Sequence, residues 1–359
     1  MPQDIRDGHI VCDRIAKVAP RHADRLAQHT LRAGDVVFSR RGDVSRFAVV
    51  TAAESGWLCG TGSIRIRLNC PDIYIPYARR YLQQDLVRGW LERNAKGLTM
   101  PNLNTAVIRA LPFIYPPMAE QRRIADVLDM AEALRAKRRA AIAKLDALTQ
   151  ATFLALFGDP ATNPRGWPIG RIGDLLLSAT YGTSEKASAS GDFAVLRMNN
   201  ITRTGEMDFN ELKYMDLDAS EQDRYLVMQG DVLFNRTNSA DLVGKTAIFR
   251  EVQPMAYAGY LVRLRVNAEN DPEYLACFLN TAYAKKMLRG MCKSIIGMAN
   301  INAKEIQAMR IAQPPNDLQR KFARHVAAIG RLKAAHRASL VKLDNLFAAL
   351  QHRAFRGEI

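Results

Sequence analysis

The sequence contains no CxxC pair. Cys12, Cys59, Cys70, Cys277 and Cys292 stand alone, with only six histidines scattered among them. A zinc site is therefore not expected. An odd number of cysteines in a chain of 359 residues fits a reducing cytoplasm better than a disulfide framework. No uninterrupted apolar run approaches the ~18 residues needed to cross a bilayer. The opening MPQDIRDGHI has neither the basic nor the apolar segment of a signal peptide. A cytoplasmic chain without a membrane partner is expected.

Catalytic patterns are missing too. LVGKT (242–246) resembles the end of a phosphate-binding loop, but Ser239 stands where that loop needs glycine. There is no NPPY-like methyltransferase tetrapeptide, no acidic pair followed by Glu-x-Lys, and no Ser/His/Asp set at a telling spacing. The chain is expected not to be an enzyme and to carry no cofactor.

Acidic residues are also in short supply. Lys and Arg number 51 against 36 Asp and Glu, a formal charge of +15. A surplus of this size attracts polyanions, of which nucleic acid is the commonest in a cell. Apolar residues at 48% and charged residues at 24% describe a folded, ordered chain.

What is present is a repeat. Residues 100–148 realign on 298–346, with identities that include Met100/Met298, Asn102/Asn300, Asn104/Asn302, Pro116/Pro314, Pro117/Pro315, Gln121/Gln319, Leu134/Leu332, Leu145/Leu343, Asp146/Asp344 and Leu148/Leu346. Arg65-x-Arg67 likewise falls on Arg263-x-Arg265, and LRAGDVVFSR (31–40) on VMQGDVLFNR (227–236). Each copy closes in a long helical segment, the first from Pro117 to Gly158 and the second from Pro315 to Gly357, interrupted only by Gly330. Proline at the entrance and glycine at the exit are helix punctuation. About 40 residues at 1.5 Å each give helices ~60 Å long.

Phe322, Ile329, Leu332, Leu343, Leu346 and Leu350 fall near a and d of a heptad, as do Ala131, Leu134, Leu145 and Leu148 in the first copy. A seam this narrow suits a coiled-coil partner, and the natural partner is the other copy. Arg138 and His336 share one seam position, where a polar residue fixes register or else snorkels to solvent. Ahead of each helix lie short β-rich runs (DVLFNR, TAIFRE, YLVRLRV) and a helical stretch (PEYLACFLNTAYAKKMLRG, with counterpart IPYARRYLQQDLVRGWLER). This pattern reads as a mixed α and β body.

Body, PPxxEQ-like punctuation, long helix, then the same again resembles the specificity subunits of type I restriction-modification enzymes. The resemblance rests on YPPMAEQRRIADVLD, LDALTQATFLALFGDP and LQHRAFRGEI, and within the second body on WPIGRIGDLL, FAVLRMNNI, MQGDVLFNRTNSADLVGKTAIF and IIGMANINAKEIQAMRI. It implies an α+β chain with two target-recognition domains (1–115 and 159–313) and two conserved helices (116–158 and 314–359) packed as an antiparallel coiled coil. Each domain would read one half of a split site on double-stranded DNA. Two methyltransferase subunits would bring S-adenosylmethionine chemistry, and separate motor-nuclease subunits would translocate and cleave. A non-catalytic scaffold, or a degenerate orphan subunit that no longer reads DNA, is the alternative.

The first copy departs from this pattern. Asp4-Ile5 falls on Asn200-Ile201, so WPIGRIGDLLLSATYGTSEKASASGDFAVLRMN has no counterpart. The first domain is expected to lack its opening strands, either because the true start lies upstream of Met1 or because the gene is degraded or split.

Base readout uses paired donors and acceptors, chiefly Arg to guanine and Asn or Gln to adenine. In the second domain the candidates are Asn235, Arg236, Asn238 and Lys245, then Arg197, Asn199, Asn200 and Arg203, then Thr183, Ser184 and Lys186 of a glycine-bearing loop. In the first they are Arg40, Arg41 and Arg46. Arg236 is expected to read a base edge. The paired arginines Arg65, Arg67, Arg263 and Arg265 read as the solvent face of a strand, and Gly34-Asp35 and Gly230-Asp231 as tight turns before strands.

Overall fold

Prolines at 116–117 and 314–315 end the chain that precedes them, and Glu120 or Asp317 in the first turn complements the positive helix end. In the computed structural model the long helices run Met118–Phe157 and Asn316–Ala354. The structure describes residues 2–6, 8–13, 15–97, 101–239, 241–295 and 298–358, so Met100 of the repeat, and Ile296 and Gly297 of the IIGMANINAKEIQAMRI stretch, lie outside it. The first helix ends at Gly158, whose φ of 84° suits a residue without Cβ; an added Cβ would meet Pro164 at 2.6 Å.

The chain divides into two units, Met1–Arg139 with Ala338–Ile359, and Ala140–Arg337. Both boundaries fall inside the long helices. Each unit therefore holds one body, the first half of its own helix and the last half of the other. Within each unit the halves run antiparallel.

In the second unit the central strand Val232–Asn235 pairs antiparallel with Thr246–Ile248 and Leu261–Val266, and the latter with Leu176–Tyr181. A second sheet joins Leu226–Val227, Met255–Tyr257, Phe193–Leu196 and Lys213–Met215. Alternate side chains of a strand leave opposite faces. Val232 and Phe234 pack with Phe153, Phe157, Tyr274 and Phe322, while Leu233 packs with Leu196, Val227, Phe249 and Tyr257. Both faces are covered, which explains the unbroken apolar run of this strand.

The first unit repeats the centre of this plan. Val36–Ser39 pairs antiparallel with Phe47–Val49 and Ser63–Ile66. Val36 and Phe38 pack with Tyr77, Ile124 and Leu128, and Val37 with Ile5, Leu31 and Ala48. Among the described residues no strand lies beyond Ser63–Ile66, where Leu176–Tyr181 stands in the second unit.

The recurring polar residues mostly fasten this plan together. The Arg67 guanidinium donates twice to Asp35 at 2.7 Å, and Arg265 donates twice to Asp231 at 2.8 Å. Arg65 donates to the Thr30 carbonyl at 2.8 Å, and the buried Arg263 donates to the Leu226 carbonyl. These arginines fasten neighbouring chain and are not a free solvent face: Arg263 is buried, while the Arg67 and Arg265 side chains stay 31 and 37% exposed; alternation along a strand shows only that they share a face. Gln121 and Gln319 are buried and hold the chain entering each helix: Gln121 accepts from Tyr74 N and donates to Pro116 O, and Gln319 accepts from Asp271 N and donates to Pro314 O. The hydroxyls of Tyr77 and Tyr274 donate to the carbonyls of Ile114 and Ala312. Asn104 and Asn302 cap short helices by accepting from Val107 N and Glu305 N, both at 2.9 Å.

The helix seam differs from the heptad expectation. In the first unit Arg135 donates to Asp344 at 2.6 Å and lies over the Phe347 ring, and Ile124, Ala125 and Leu128 share a cluster with Phe347, Leu350 and Ala354. In the second, Lys333 pairs with Asp146, and Phe322 packs on Phe153 and Phe157. Phe322, Ile329 and Ala131 are buried as expected, but Leu134, Leu148, Leu332 and Leu346 are 50, 46, 53 and 49% exposed. Each half-helix packs against both a body and the other helix, so its buried positions spread over two faces and a single a/d stripe cannot describe them.

One substitution between the copies has a visible consequence. In the first unit Glu132 lies one and two turns before Arg135 and Arg139 and pairs with both. Its counterpart is Gly330. In the second unit the missing carboxylate is supplied from the body: Glu206 pairs with Lys333 and Arg337. The loop carrying Glu206 is thereby tied to the second helix.

Candidate nucleic-acid interface

The exit of the central strand gathers the three candidate stretches of the second unit. Arg236 follows Asn235; its N–H donates to Tyr260 O at 3.0 Å and its carbonyl accepts from Ile301 N at 3.0 Å. Its guanidinium lies 4.9 Å from the centre of the Tyr181 ring, beside the YGTSEK loop. Tyr181 is itself fixed, since its hydroxyl accepts from Ala303 N. The Arg236 Nε is buried with no hydrogen-bond partner among the described residues. Thr237 and Asn238 pair antiparallel with Asn300 and Ala299, one strand of the hairpin Lys293–Ile295/Met298–Asn300. Lys245 joins the RMNNITR stretch by donating to the carbonyls of Met198 at 2.7 Å and Ile201 at 2.5 Å. Burial, with Arg203 nearby, holds its ammonium below the ordinary lysine value.

The candidates divide by what their side chains already do. Asn200 is buried, accepts from Arg197 N and donates to Asp208 O, both at 2.8 Å. Thr183 is buried, and its hydroxyl accepts from Glu185 N. Arg197 reaches the Glu211 carbonyl, and Lys245 is committed as described. These four shape loops. Asn235 is fully buried, and neither amide atom has a partner among the described residues. Ser184, Lys186, Asn199 and Arg203 are exposed, with Arg236 and Asn238 half-buried. These six have side chains that can meet a ligand.

In the first unit Arg40 occupies the place of Arg236. Its N–H donates to Gly62 O at 2.8 Å and its carbonyl accepts from Leu103 N at 2.9 Å. Arg41 bridges to Asn102 as Thr237 does to Asn300. Arg46 matches Lys245, because Ser39 N donates to Arg46 O as Asn235 N does to Lys245 O. Arg40, Arg41 and Arg46 are exposed, and Arg46 pairs with Asp43 at 2.9 Å.

Among the described residues no group of three or more His, Cys, Asp or Glu could hold a metal ion. Burial pushes the Cys277 thiol up to about 12, far from a thiolate nucleophile at neutral pH.

Residues 20–144 match a family model described as the type I restriction modification DNA specificity domain. The specificity subunit of the type I restriction enzyme EcoKI from Escherichia coli K12 is 24% identical over 307 residues, covering 80% of this chain and 66% of that protein. That of StySPI from Salmonella potsdam is 22% identical over 302 residues, covering 79% and 65%. The chain is similar to type I specificity subunits. The matched region spans just under two thirds of each of these curated relatives. The fold agrees with two solved structures. One is a chain described under complex assembly and conformational transition of the type I R-M system, with a TM-score of 0.59, 20% identity and coverage of 99% and 90%. The other is the type I S subunit from M. genitalium, with 0.57, 15%, and 91% and 84%.

Tyr181 and the hairpin that ends at Asn300 were not among the residues expected from the sequence. Asn102 and Asn300 carried a signal, since they recur, but nothing in the sequence placed them beside Arg40 and Arg236. Tyr181 carried none.

Proposed function

We propose that this chain is the DNA-reading subunit of a type I restriction-modification enzyme, that each unit reads one half of a split site, and that methylation and cleavage belong to separate subunits acting in the cytoplasm. One observation carries the reading: both units place a basic, partly exposed group at the exit of an equivalent central strand, and the residues around it differ between units. Equivalent scaffolds with different readers are what a bipartite site needs. S-adenosylmethionine would be bound by the methyltransferase subunits.

Two such subunits per chain are favoured by the exposed leucines. Leu134 and Leu346 lie in the first unit, and their counterparts Leu332 and Leu148 in the second. Each unit thus offers the same pair from two helices. A stretch of the first long helix is apolar and long enough by composition to cross a bilayer, yet little of it is buried in the fold. With Lys144 and Asp146 within it, a protein partner is the better cover.

The test is binding of the chain, assembled with its methyltransferase subunit, to a randomised duplex pool. Enrichment of one split motif is expected, with no methylation of it by the chain alone. Equal binding to every sequence, or methylation without the partner, would contradict the proposal.

A further inference from the structure

Recurrence between the two units sorts the polar residues by what they do. Asp35/Asp231, Arg67/Arg265, Gln121/Gln319 and Asn104/Asn302 recur, and each has a hydrogen-bond partner within its own unit. Arg40/Arg236 recurs as well, but fastens nothing with its side chain. Arg40 is exposed, and Arg236 rests on an aromatic face with Nε buried and unpartnered. Their backbones are used in the same way in both units.

The surroundings recur in part. The strand after the arginine pairs with an asparagine, Asn102 or Asn300, and across the hairpin that asparagine pairs with a lysine, Lys96 or Lys293. The neighbours do not recur: Ser39 stands where the second unit has Asn235, and Arg41 where it has Thr237. A side chain kept in both units while its neighbours change, and with no hydrogen bond or ion pair among the described residues, serves something common to both halves of the ligand. In DNA the feature common to any two half-sites is the sugar–phosphate backbone.

We propose that Arg40 and Arg236 are equivalent phosphate contacts, one per unit, which seat each unit on the DNA backbone and leave sequence discrimination to the residues that differ around them. The inference rests on the proposed DNA-reading function and refines the expectation that Arg236 reads a base edge. An arginine fork forms short, charge-assisted hydrogen bonds to phosphate oxygens, and stacking on Tyr181 holds the fork in place.

The experiment uses the full chain assembled with its methyltransferase subunits. Affinity is measured for the selected duplex and for one scrambled in both half-sites, across a salt series. Arg236→Ala and Arg40→Ala are each expected to weaken both duplexes by a similar factor, roughly ten-fold. Each should lower the slope of log K against log salt by ~0.9. Arg236→Lys should recover part of the loss, because a point charge still meets a phosphate. Arg40 is exposed, so its substitution tests the idea without disturbing packing. A wild-type complex that binds both duplexes equally overturns the proposed function and this inference with it. A discriminating wild type whose variants lose only the selected duplex, or lose nothing, overturns this inference alone.

Discussion

Phe322→Ala is expected to destabilise the second unit by about 3–5 kcal/mol, the cost of truncating a fully buried phenylalanine. Phe322 has no exposed surface, and its ring centre lies 5.7 Å from Phe153 and 5.4 Å from Phe157. Tyr274 closes the group at 5.6 Å from Phe153 and 4.7 Å from Phe157. Four rings from three segments thus meet: the end of the first long helix, the start of the second, and the body's own helix. A cavity here cannot collapse without moving one of the long helices. Chemical denaturation with hydrogen exchange read peptide by peptide checks it. Protection should fall through 140–157, 272–280 and 316–337, while 36–39 and 75–82 in the first unit keep theirs. A loss below about 1 kcal/mol, or one shared equally by both units, would contradict this packing.

Replacing Leu332 and Leu148 together by glutamate should leave the fold unchanged, because both side chains are exposed. If the proposed docking of two methyltransferase subunits holds, it should remove one of them from the complex. Burying a leucine contributes about 1.5–3 kcal/mol. Losing two, and placing two carboxylates in an apolar contact, weakens docking on the order of a hundred-fold or more. Native mass spectrometry should then show one partner per chain. The matching change at Leu134 and Leu346 should give the same stoichiometry, and all four together none. Two partners retained on the fourfold variant would place the docking surface elsewhere.

Much of this architecture was legible because the chain carries it twice. Asn104/Asn302, Gln121/Gln319 and the proline pairs marked where each long helix begins, and recurring Gly-Asp steps marked the central strands. The seam was harder. Leu134, Leu148, Leu332 and Leu346 recur at heptad spacing, yet they face outward, since hydrophobic periodicity does not say whether a stripe meets its own chain or another. The strand arginines misled for a related reason: Arg67 and Arg265 alternate as solvent residues do, but their carboxylate partners, Asp35 and Asp231, come from a neighbouring strand's entry turn. At the candidate interface the polar stretches were visible. Which of their side chains are free was not, because Asn200 and Lys245 are occupied by carbonyls that only folding brings near.

On the proposed function, this chain gives sequence to a reaction it does not perform. Mapping methylated bases across the genome of a host that carries the chain with its methyltransferase subunit tests this most directly. The expected result is one split motif, two defined halves separated by unread base pairs, that disappears when the chain is deleted and appears nowhere when the methyltransferase is absent. A methylation pattern unchanged by deleting the chain would contradict the account.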